Sequence, residues 1–186
     1  MEATPKELKT ERLKAALAKL AELKAAEPAG DPEQHVKTAT MMLVEKFETP
    51  HPLAKRYLAE LKASNNEITD AIIEKLTNFD DHLGASFMVL HQNTEQLLKG
   101  NKQMSRRFRR WGDPGDTFTV KGKKFRFVRV ERVKVGDITE EDIRKEGYAT
   151  KEDFEQMWYK SHPKSVAAGK RLDPEQNCWC HEYEEV

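Results

Sequence analysis

Apolar residues in the first 83 positions recur every three or four residues, the spacing that places side chains on one face of an α-helix. Leucines at positions 13, 17, 20 and 23 predict a first helix from Pro5 to about Glu27. Asp31 followed by Pro32 is typical of a helix start. It predicts a second helix whose apolar face carries Val36, Thr40, Leu43 and Phe47.

A third helix is predicted for residues 52–63, and Asn65 or Asn66 is predicted to cap a fourth. The apolar face of the fourth helix would comprise Ile68, Ile72, Ile73, Leu76, Phe79 and Leu83. We therefore expect an all-α region, a bundle or an arm, over residues 1–83. Its leucine stripe fits packing within the chain, self-association or the docking of a protein partner, which would make the protein an adaptor.

The period changes after Gly84, where apolar and polar residues begin to alternate as they do in strands. Strands are predicted for 85–90, 104–108, 117–120, 124–135 and 177–184, with a bend in the longest near Arg129. Short helices are predicted for 94–99, 140–145 and 151–158, and a loop for 162–173. Strands covered at one end by helices predict an α+β module, a small β-barrel, over residues 84–186.

The formal charge of the chain is zero, but the charges are unevenly distributed. Residues 84–135 hold 13 Lys/Arg against 4 Asp/Glu, while the segments on either side are acidic. Such a basic block is typical of a phosphate-binding surface, and a sheet edge protected by cations is the alternative. Between residues 106 and 111, arginines alternate with aromatic rings, which suits base stacking. We expect Trp111 to stack on a base and Phe108 to join the core.

No stretch of the sequence is apolar for long enough to span a bilayer, and the N-terminal segment does not resemble a signal peptide. Cys178 and Cys180 are too close together for an ordinary structural disulfide. We interpret them as free thiols rather than zinc ligands, and we expect a cytoplasmic protein without membrane contact, metal or cofactor. The acidic residues 182–186 are expected to be solvated.

The stretch Gly100-Asn-Lys102-Gln-Met-Ser105-Arg-Arg107 brings a glycine turn, an amine, a hydroxyl and a guanidinium into eight residues. It resembles the Gly-x-Lys-x-x-(Thr/Ser)-x-Arg signature of ASCH (activating signal cointegrator homology) domains, a branch of the PUA-like β-barrel superfamily. The order of later features is also similar to that family, with Gly-Asp at 115–116 and Glu-Gly at 146–147. The resemblance covers about residues 85–186.

This resemblance implies a PUA-like small β-barrel with flanking helices and a cleft that binds RNA, other nucleic acid or a modified nucleoside. Some small ASCH proteins are amidohydrolases that deacetylate N4-acetylcytidine with a Lys, a Thr and a Glu, for which the matching positions are Lys102, Ser105 and Glu146. Ribonuclease activity, suggested for some relatives, has no distinct residue pattern in this chain. The candidate ligand-binding residues are Gly100, Lys102, Arg106, Arg107, Arg109, Arg110 and Trp111.

The candidate catalytic trio has a consistent chemistry. The neighbouring arginines are expected to lower the pKa of Lys102, and a neutral amine can remove the Ser105 proton to create a nucleophile. Glu146 would hold the lysine or pass a proton to the leaving group, while raising the lysine pKa. The same residues also suit ligand recognition without catalysis, so both functions stay open.

Overall fold

The computed structural model describes residues 4–49, 51–77 and 91–186. The chain divides into two compact units, one assigned to residues 1–79 with 110–117 and the other to residues 80–109 with 118–186. No helix within the described residues has the length and apolar character needed to cross a membrane.

The first unit contains the helices α1 (Pro5–Ala26), α2 (Pro32–Phe47), α3 (His51–Ala63) and α4 (Asp70–Thr77). Thr4 and Glu7 form a capping box at the start of α1, because each side chain accepts a hydrogen bond from the other residue's backbone N–H. Asp31 caps α2 by accepting a 3.0 Å hydrogen bond from the Glu33 N–H. The sequence-based prediction of these first three helices is confirmed.

The predicted cap of the fourth helix is wrong. Asn65 and Asn66 adopt the left-handed conformation, with φ angles of 53° and 66°, in the turn that ends α3. Asparagine tolerates this conformation better than most residues, so the pair terminates one helix instead of starting the next. The Ile72 N–H instead donates a 3.4 Å hydrogen bond to the side chain of Thr69, which caps α4.

Apolar side chains from all four helices form the core of the first unit. The buried residues are Leu13, Ala16, Ala39, Leu43, Leu53, Ala54, Tyr57, Leu58, Leu61, Ile72, Ile73 and Leu76. Val36, expected on the apolar face of α2, is instead 41% exposed. The predicted strand at 85–90 and the apolar positions Phe79 and Leu83 lie outside the described residues.

The second unit is a mixture of helices and one antiparallel sheet. Its elements are α5 (His91–Leu98), β1 (Met104–Arg107), β2 (Thr117–Val120), β3 (Lys123–Lys134), a 3₁₀ turn (Val135–Asp137), α6 (Glu140–Lys145), α7 (Lys151–Ser161), α8 (Pro163–Ala167) and β4 (Asn177–Glu185). Among the described residues, the four strands form a sheet of order β1-β4-β3-β2. The central strand β4 pairs Met104 with Glu182 on one side and Val133 with Cys178 on the other.

Most of the predicted elements of this unit are confirmed, including the bend in the longest strand. The pairing of β3 with β4 shifts register between Phe127 and Arg129, as a β-bulge would. The loop predicted for 162–173 is partly wrong, because α8 begins inside it with Pro163 at its first position. Phe108, expected in the core, is instead 41% exposed. The buried aromatic cluster of this unit comprises Phe118, Phe125, Phe127 and Tyr183, with Phe118 and Phe125 stacked and Tyr183 edge-to-face against Phe118 and Phe127.

The acidic end of the chain is solvated in part as expected, since Glu184, Glu185 and Val186 are exposed, whereas Glu182 is half-buried and Tyr183 is buried. Residues 182–185 belong to β4, where the Tyr183 ring is 2% exposed. The carboxylates on either side of Tyr183 form ion pairs with Lys145, Arg129, Arg126 and Lys123. The predicted closing strand is therefore present, and its exposed carboxylates are ion-paired on the surface of the sheet.

Candidate functional site

The loop after α5 positions Lys102 at the start of the sheet. Gly100 has a φ angle of +77°, which glycine adopts without strain, and its N–H donates a 3.0 Å hydrogen bond to the Leu97 carbonyl. The N–H groups of Asn101 and Lys102 both donate to the Gln96 carbonyl, at 3.0 and 3.2 Å. This ending of α5 directs the chain into β1 with Lys102 two residues before the strand.

The ammonium group of Lys102 is buried against Glu146. Its Nζ donates a 2.7 Å hydrogen bond to the Glu146 carbonyl oxygen and lies 3.6 Å from the carboxylate Oε2. The ring of Tyr148 lies beneath it, with 5.4 Å between Nζ and the ring centre. Gly147 makes this approach possible because its φ angle of +86° ends α6 and turns the chain beside Lys102. The predicted association of Lys102 with the Glu146-Gly147 pair is therefore present.

The environment of Lys102 favours the neutral amine. Burial is the largest effect and lowers the pKa of Lys102 to about 8, with the charge of Arg107 acting in the same direction and Glu146 opposing both. The sequence did not decide between the lowering effect of the arginines and the raising effect of Glu146, and burial, which the sequence did not reveal, is the main cause of the lowered pKa. A lysine with this pKa is partly deprotonated at neutral to mildly alkaline pH.

Arg106 holds the carboxylate of Glu146 in place. Glu146 Oε1 accepts a 3.1 Å hydrogen bond from the Arg106 N–H and lies 3.4 Å from its Nη1. The other guanidinium nitrogen, Nη2, donates to Asp142 at 3.0 Å. Arg106 is thus engaged by two carboxylates of its own unit and acts on the site by positioning Glu146.

Ser105 is fully buried and contacts Tyr183. The Ser105 Oγ lies 3.2 Å from the Tyr183 hydroxyl, which donates its own proton to the Met104 carbonyl at 3.1 Å. The serine is therefore the donor in the Ser105–Tyr183 bond. Burial also raises the pKa of Tyr183 above its ordinary value. The structure thus forms two pairs, Lys102 with Glu146 and Ser105 with Tyr183.

A cavity of about 320 Å³ opens beside these pairs. Its described lining includes Leu97, Gly100, Lys102, Gln103, Phe125, Val128, Glu182, Tyr183, Glu184 and Glu185. The lining therefore has one cation and three carboxylates, a different polarity from the basic surface that the composition of 84–135 suggests. Uncharged or cationic ring systems suit such a cavity better than a bare phosphate does.

The remaining candidate residues divide between the two units. Arg107 is half-buried in the second unit, where its charge acts on Lys102, Tyr148 and Tyr183. Arg109 belongs to the same unit and is exposed. Arg110 and Trp111 are assigned to the helical unit, and Arg110 forms a 2.7 Å ion pair with Asp113 there.

A buried ionic cluster in the helical unit was not foreseen from the sequence. Asp113 Oδ2 accepts from Arg12 Nη1 at 2.5 Å and from Lys9 Nζ at 3.1 Å, and Asp116 Oδ1 lies 2.6 Å from Lys9 Nζ. Arg12 also contacts the Tyr57 hydroxyl at 3.3 Å. No local pattern in the first helix reveals that Lys9 and Arg12 have partners about a hundred residues away.

The two carboxylates of this cluster, which we call the Asp113–Asp116 cluster, titrate differently. Burial opposes ionisation of Asp113, but Arg12, Lys9 and Arg110 outweigh it and lower the pKa of Asp113 to about 2. Burial raises the pKa of Asp116 to about 7, with Lys9 opposing the change and the charge of Asp113 adding to it. Asp113 is therefore ionised at neutral pH and is the counter-charge of Arg12, Lys9 and Arg110.

Neither cysteine forms a disulfide, and both thiols are buried. Burial raises the pKa of Cys178 to about 11 and that of Cys180 to about 12. Within the part of the chain that the structure describes, no group of three or more His, Cys, Asp or Glu side chains is arranged to hold a metal ion.

Comparison with known proteins gives similarities at the level of structure alone. No family model matches the chain, and no curated protein matches it. A crystal structure of an ASCH domain from Lactobacillus crispatus is similar, with 13% identity and a TM-score of 0.41 over 70% of this chain and 94% of that one. A protein from Enterococcus faecalis of the family DUF984 has 13% identity and a TM-score of 0.39, over 70% of this chain and 85% of its own.

The first of these structures is an ASCH domain, the family that residues 85–186 resemble. Both TM-scores are below 0.5, so these similarities by themselves assign neither the fold nor an activity to this chain.

Proposed function

We propose that residues 84–186 form an ASCH-like module of the PUA-like barrel type, which binds a nucleobase of RNA or a modified nucleoside through the Lys102 cavity. Residues 1–83 form a separate helical region in this proposal. The observation that carries it is the buried ammonium of Lys102, held by Glu146 at a cavity of about 320 Å³.

The size and chemistry of the cavity support a single base as its occupant. Its volume lies at the small end of the roughly 300–1,000 Å³ typical of small-molecule sites, which suits one nucleoside. Lys102 and Gln103 supply hydrogen-bond donors for base oxygen and nitrogen atoms, and Phe125 with Tyr183 supplies aromatic surface. Lys102 is the one cation of the described lining and is engaged by Glu146, so the cavity offers little attraction to a phosphate; the base enters and the phosphates stay outside.

The other candidate residues have different roles in this proposal. Gly100 shapes the loop, Arg106 positions Glu146, and Arg107 and Arg109 contact phosphates. Ligand contacts by Arg110 and Trp111 stay predictions from the sequence. A cytoplasmic location also stays a prediction.

Calorimetric titration with cytidine and N4-acetylcytidine tests the proposal. We expect the wild-type chain to bind at least one nucleoside and Lys102→Met to lose that binding. Lys99→Met is the matched control, because Lys99 is exposed three residues earlier in the same loop. Melting curves show whether each variant is folded. A folded wild-type chain that binds neither nucleoside, or a Lys102→Met variant that binds unchanged, would contradict the proposal.

Amide hydrolysis of an N4-acylated cytosine is the second candidate, favoured by the lowered pKa of Lys102. In this scheme the neutral amine takes the proton of Ser105 as the serine oxygen bonds to the amide carbonyl, and Glu146 holds Lys102. The C–N bond then breaks, the protonated Lys102 gives the proton to the departing cytosine amine, and water hydrolyses the acetyl-serine to acetate and free serine. The hydroxyl of Ser105 must first leave Tyr183, to which it is bonded. Ribonuclease activity has no additional support among the described residues.

Release of cytidine from N4-acetylcytidine, followed by chromatography, tests this chemistry. The rate is expected to rise with pH through about 8, as Lys102 loses its proton, and to disappear in Ser105→Ala and Lys102→Gln. Turnover that persists in either variant would show that the roles are wrongly assigned. Nucleoside binding without turnover would leave the binding function intact.

An adaptor role of the helices is a third candidate, because Leu17, Leu20 and Leu23 on α1 are only half-buried. The mass of the full chain in solution, compared between the wild type and a variant with Leu17→Glu and Leu20→Glu, tests self-association through this stripe.

A further inference from the structure

Four aromatic rings form a continuous cluster at the end of β1 and along α7. His162 stacks on Trp158 with ring centres 4.7 Å apart and an interplanar angle of 22°. The rings of Phe108 and His162 pack edge-to-face with their centres 6.2 Å apart, and so do the rings of Tyr159 and Trp158 with their centres 5.3 Å apart. We call these four residues the aromatic platform. All of them belong to the second unit.

The platform is both accessible and held in place. Phe108 is 41% exposed, and Trp158, Tyr159 and His162 are half-buried. His162 lies between α7 and α8, where its Nδ1 donates a 2.9 Å hydrogen bond to the Trp158 carbonyl. This bond fixes the imidazole against the indole, so a base that stacks here meets rings that are already ordered.

The chain segment that carries three of the four rings is rich in exposed cations. Residues 156–172 contain four Lys/Arg, Lys160, Lys164, Lys170 and Arg171, all of them exposed, and the nearest acids along the chain are Glu155, one turn before Trp158 on α7, and Asp173. Arg109, next to Phe108, is exposed as well. This surface therefore has the phosphate-binding character that the glutamate-lined cavity lacks. Stacking rings among exposed cations is the combination that binds single strands without sequence preference.

We propose that the aromatic platform stacks the unpaired bases of a single-stranded nucleic acid whose phosphates contact the surrounding lysines and arginines. The inference extends the proposed function, since it adds a second binding surface to the base-binding cavity. Lys102 and Phe108 are six positions apart, a span of at most about 22 Å along an extended chain, so a strand of a few nucleotides is long enough to occupy both surfaces. None of the platform residues lines the described cavity, so a nucleoside bound there leaves the platform free.

Fluorescence anisotropy at low salt, with a labelled ten-nucleotide RNA, tests the platform in the full-length chain. Phe108→Ala is expected to weaken binding by about five-fold or more, and Phe108→Tyr to retain it, because loss of one stacked base is costly and any ring can stack. His162→Ala provides a second test of the same surface. Met41→Ala, at an apolar position 40% exposed in the helical unit, is the matched control and should bind as the wild type does.

Two further measurements separate this inference from the cavity proposal. Calorimetric titration of Phe108→Ala with cytidine should match the wild type, because the nucleoside does not reach the platform. A duplex of the same sequence should bind at least ten-fold more weakly than the single strand, and a single-stranded DNA of that sequence distinguishes RNA from DNA as the ligand. Equal binding by Phe108→Ala and wild type, or a duplex that binds as tightly as the single strand, would overturn the platform whatever the cytidine titration shows.

Discussion

Replacing Lys102 by methionine is expected to change how the free energy of unfolding depends on pH. Burial lowers the pKa of Lys102 from 10.5 to about 8. Between these two values the unfolded chain binds more protons at this position than the folded chain does, so the folded state gains stability as the pH rises. At about 1.4 kcal/mol for each pH unit, the full gain is about 3 kcal/mol. Below pH 8 Lys102 is protonated in the folded chain as well, so the folded state carries the whole cost of burying the ammonium.

Urea unfolding at pH 7, 8, 9 and 10, followed by circular dichroism, measures this effect. The difference in unfolding free energy between wild type and Lys102→Met should be constant near pH 7. By pH 10 it should have changed by about 2–3 kcal/mol in favour of the wild type. Other titrating groups cancel in the difference. Lys99→Met, at an exposed site, should give a constant difference. A constant difference for Lys102→Met as well would refute the assignment of Lys102 as a buried amine of lowered pKa.

Three other predictions concern structural features outside the binding surfaces. Asp113→Asn removes the counter-charge of three cations and should lower the unfolding free energy by about 3–5 kcal/mol in urea titrations, whereas Asp137→Asn at an exposed position should change it little. Gly147→Ala should cost about 1–2 kcal/mol because of its φ angle of +86°, and Gly147→Asn should cost less, since asparagine tolerates that region; equal costs would argue against backbone strain. Cys178 and Cys180, whose pKa values are about 11 and 12, should not react with a thiol reagent at pH 8 until urea unfolds the chain, and rapid reaction of the folded protein would show that they are accessible.

Local signals in the sequence predicted most of the helices and strands. Capping residues such as Asp31, Thr139 and Thr150 determine helix starts through contacts within three residues, so their effect is visible in the sequence. The cap of the fourth helix was misassigned because asparagine serves both as an N-cap and as a left-handed residue at a helix end. Only the backbone conformation of Asn65 and Asn66 shows which of these roles they have. Phe108 was misplaced because β1 ends at Arg107, so the alternation expected for a strand through residue 108 does not reach it.

The candidate site was predictable only where a family-like motif marked it. Lys102 and Glu146 lie 44 residues apart, and their association followed from the resemblance and not from local chemistry. Tyr183 was missed as the partner of Ser105, because the contact depends on which β4 residue faces β1 in the strand register. That register also brings the acidic end of the chain to the cavity. Composition and hydrophobic periodicity do not show which distant strands pair or in which register.

The buried face of α1 shows that buried charged residues are also not predictable from the local sequence. The leucine stripe suggested an apolar contact, yet Lys9 and Arg12 are fully buried on this helix beside Leu13. Two buried cations need carboxylates nearby, because an unpaired buried charge is strongly destabilising. The carboxylates paired with them belong to Asp113 and Asp116, more than a hundred positions along the chain, so the segment 110–117 is a necessary part of the helical unit. Gly115-Asp116, one of the features that resemble the ASCH pattern, therefore stabilises helices in this chain, and its presence is not by itself evidence for a ligand site.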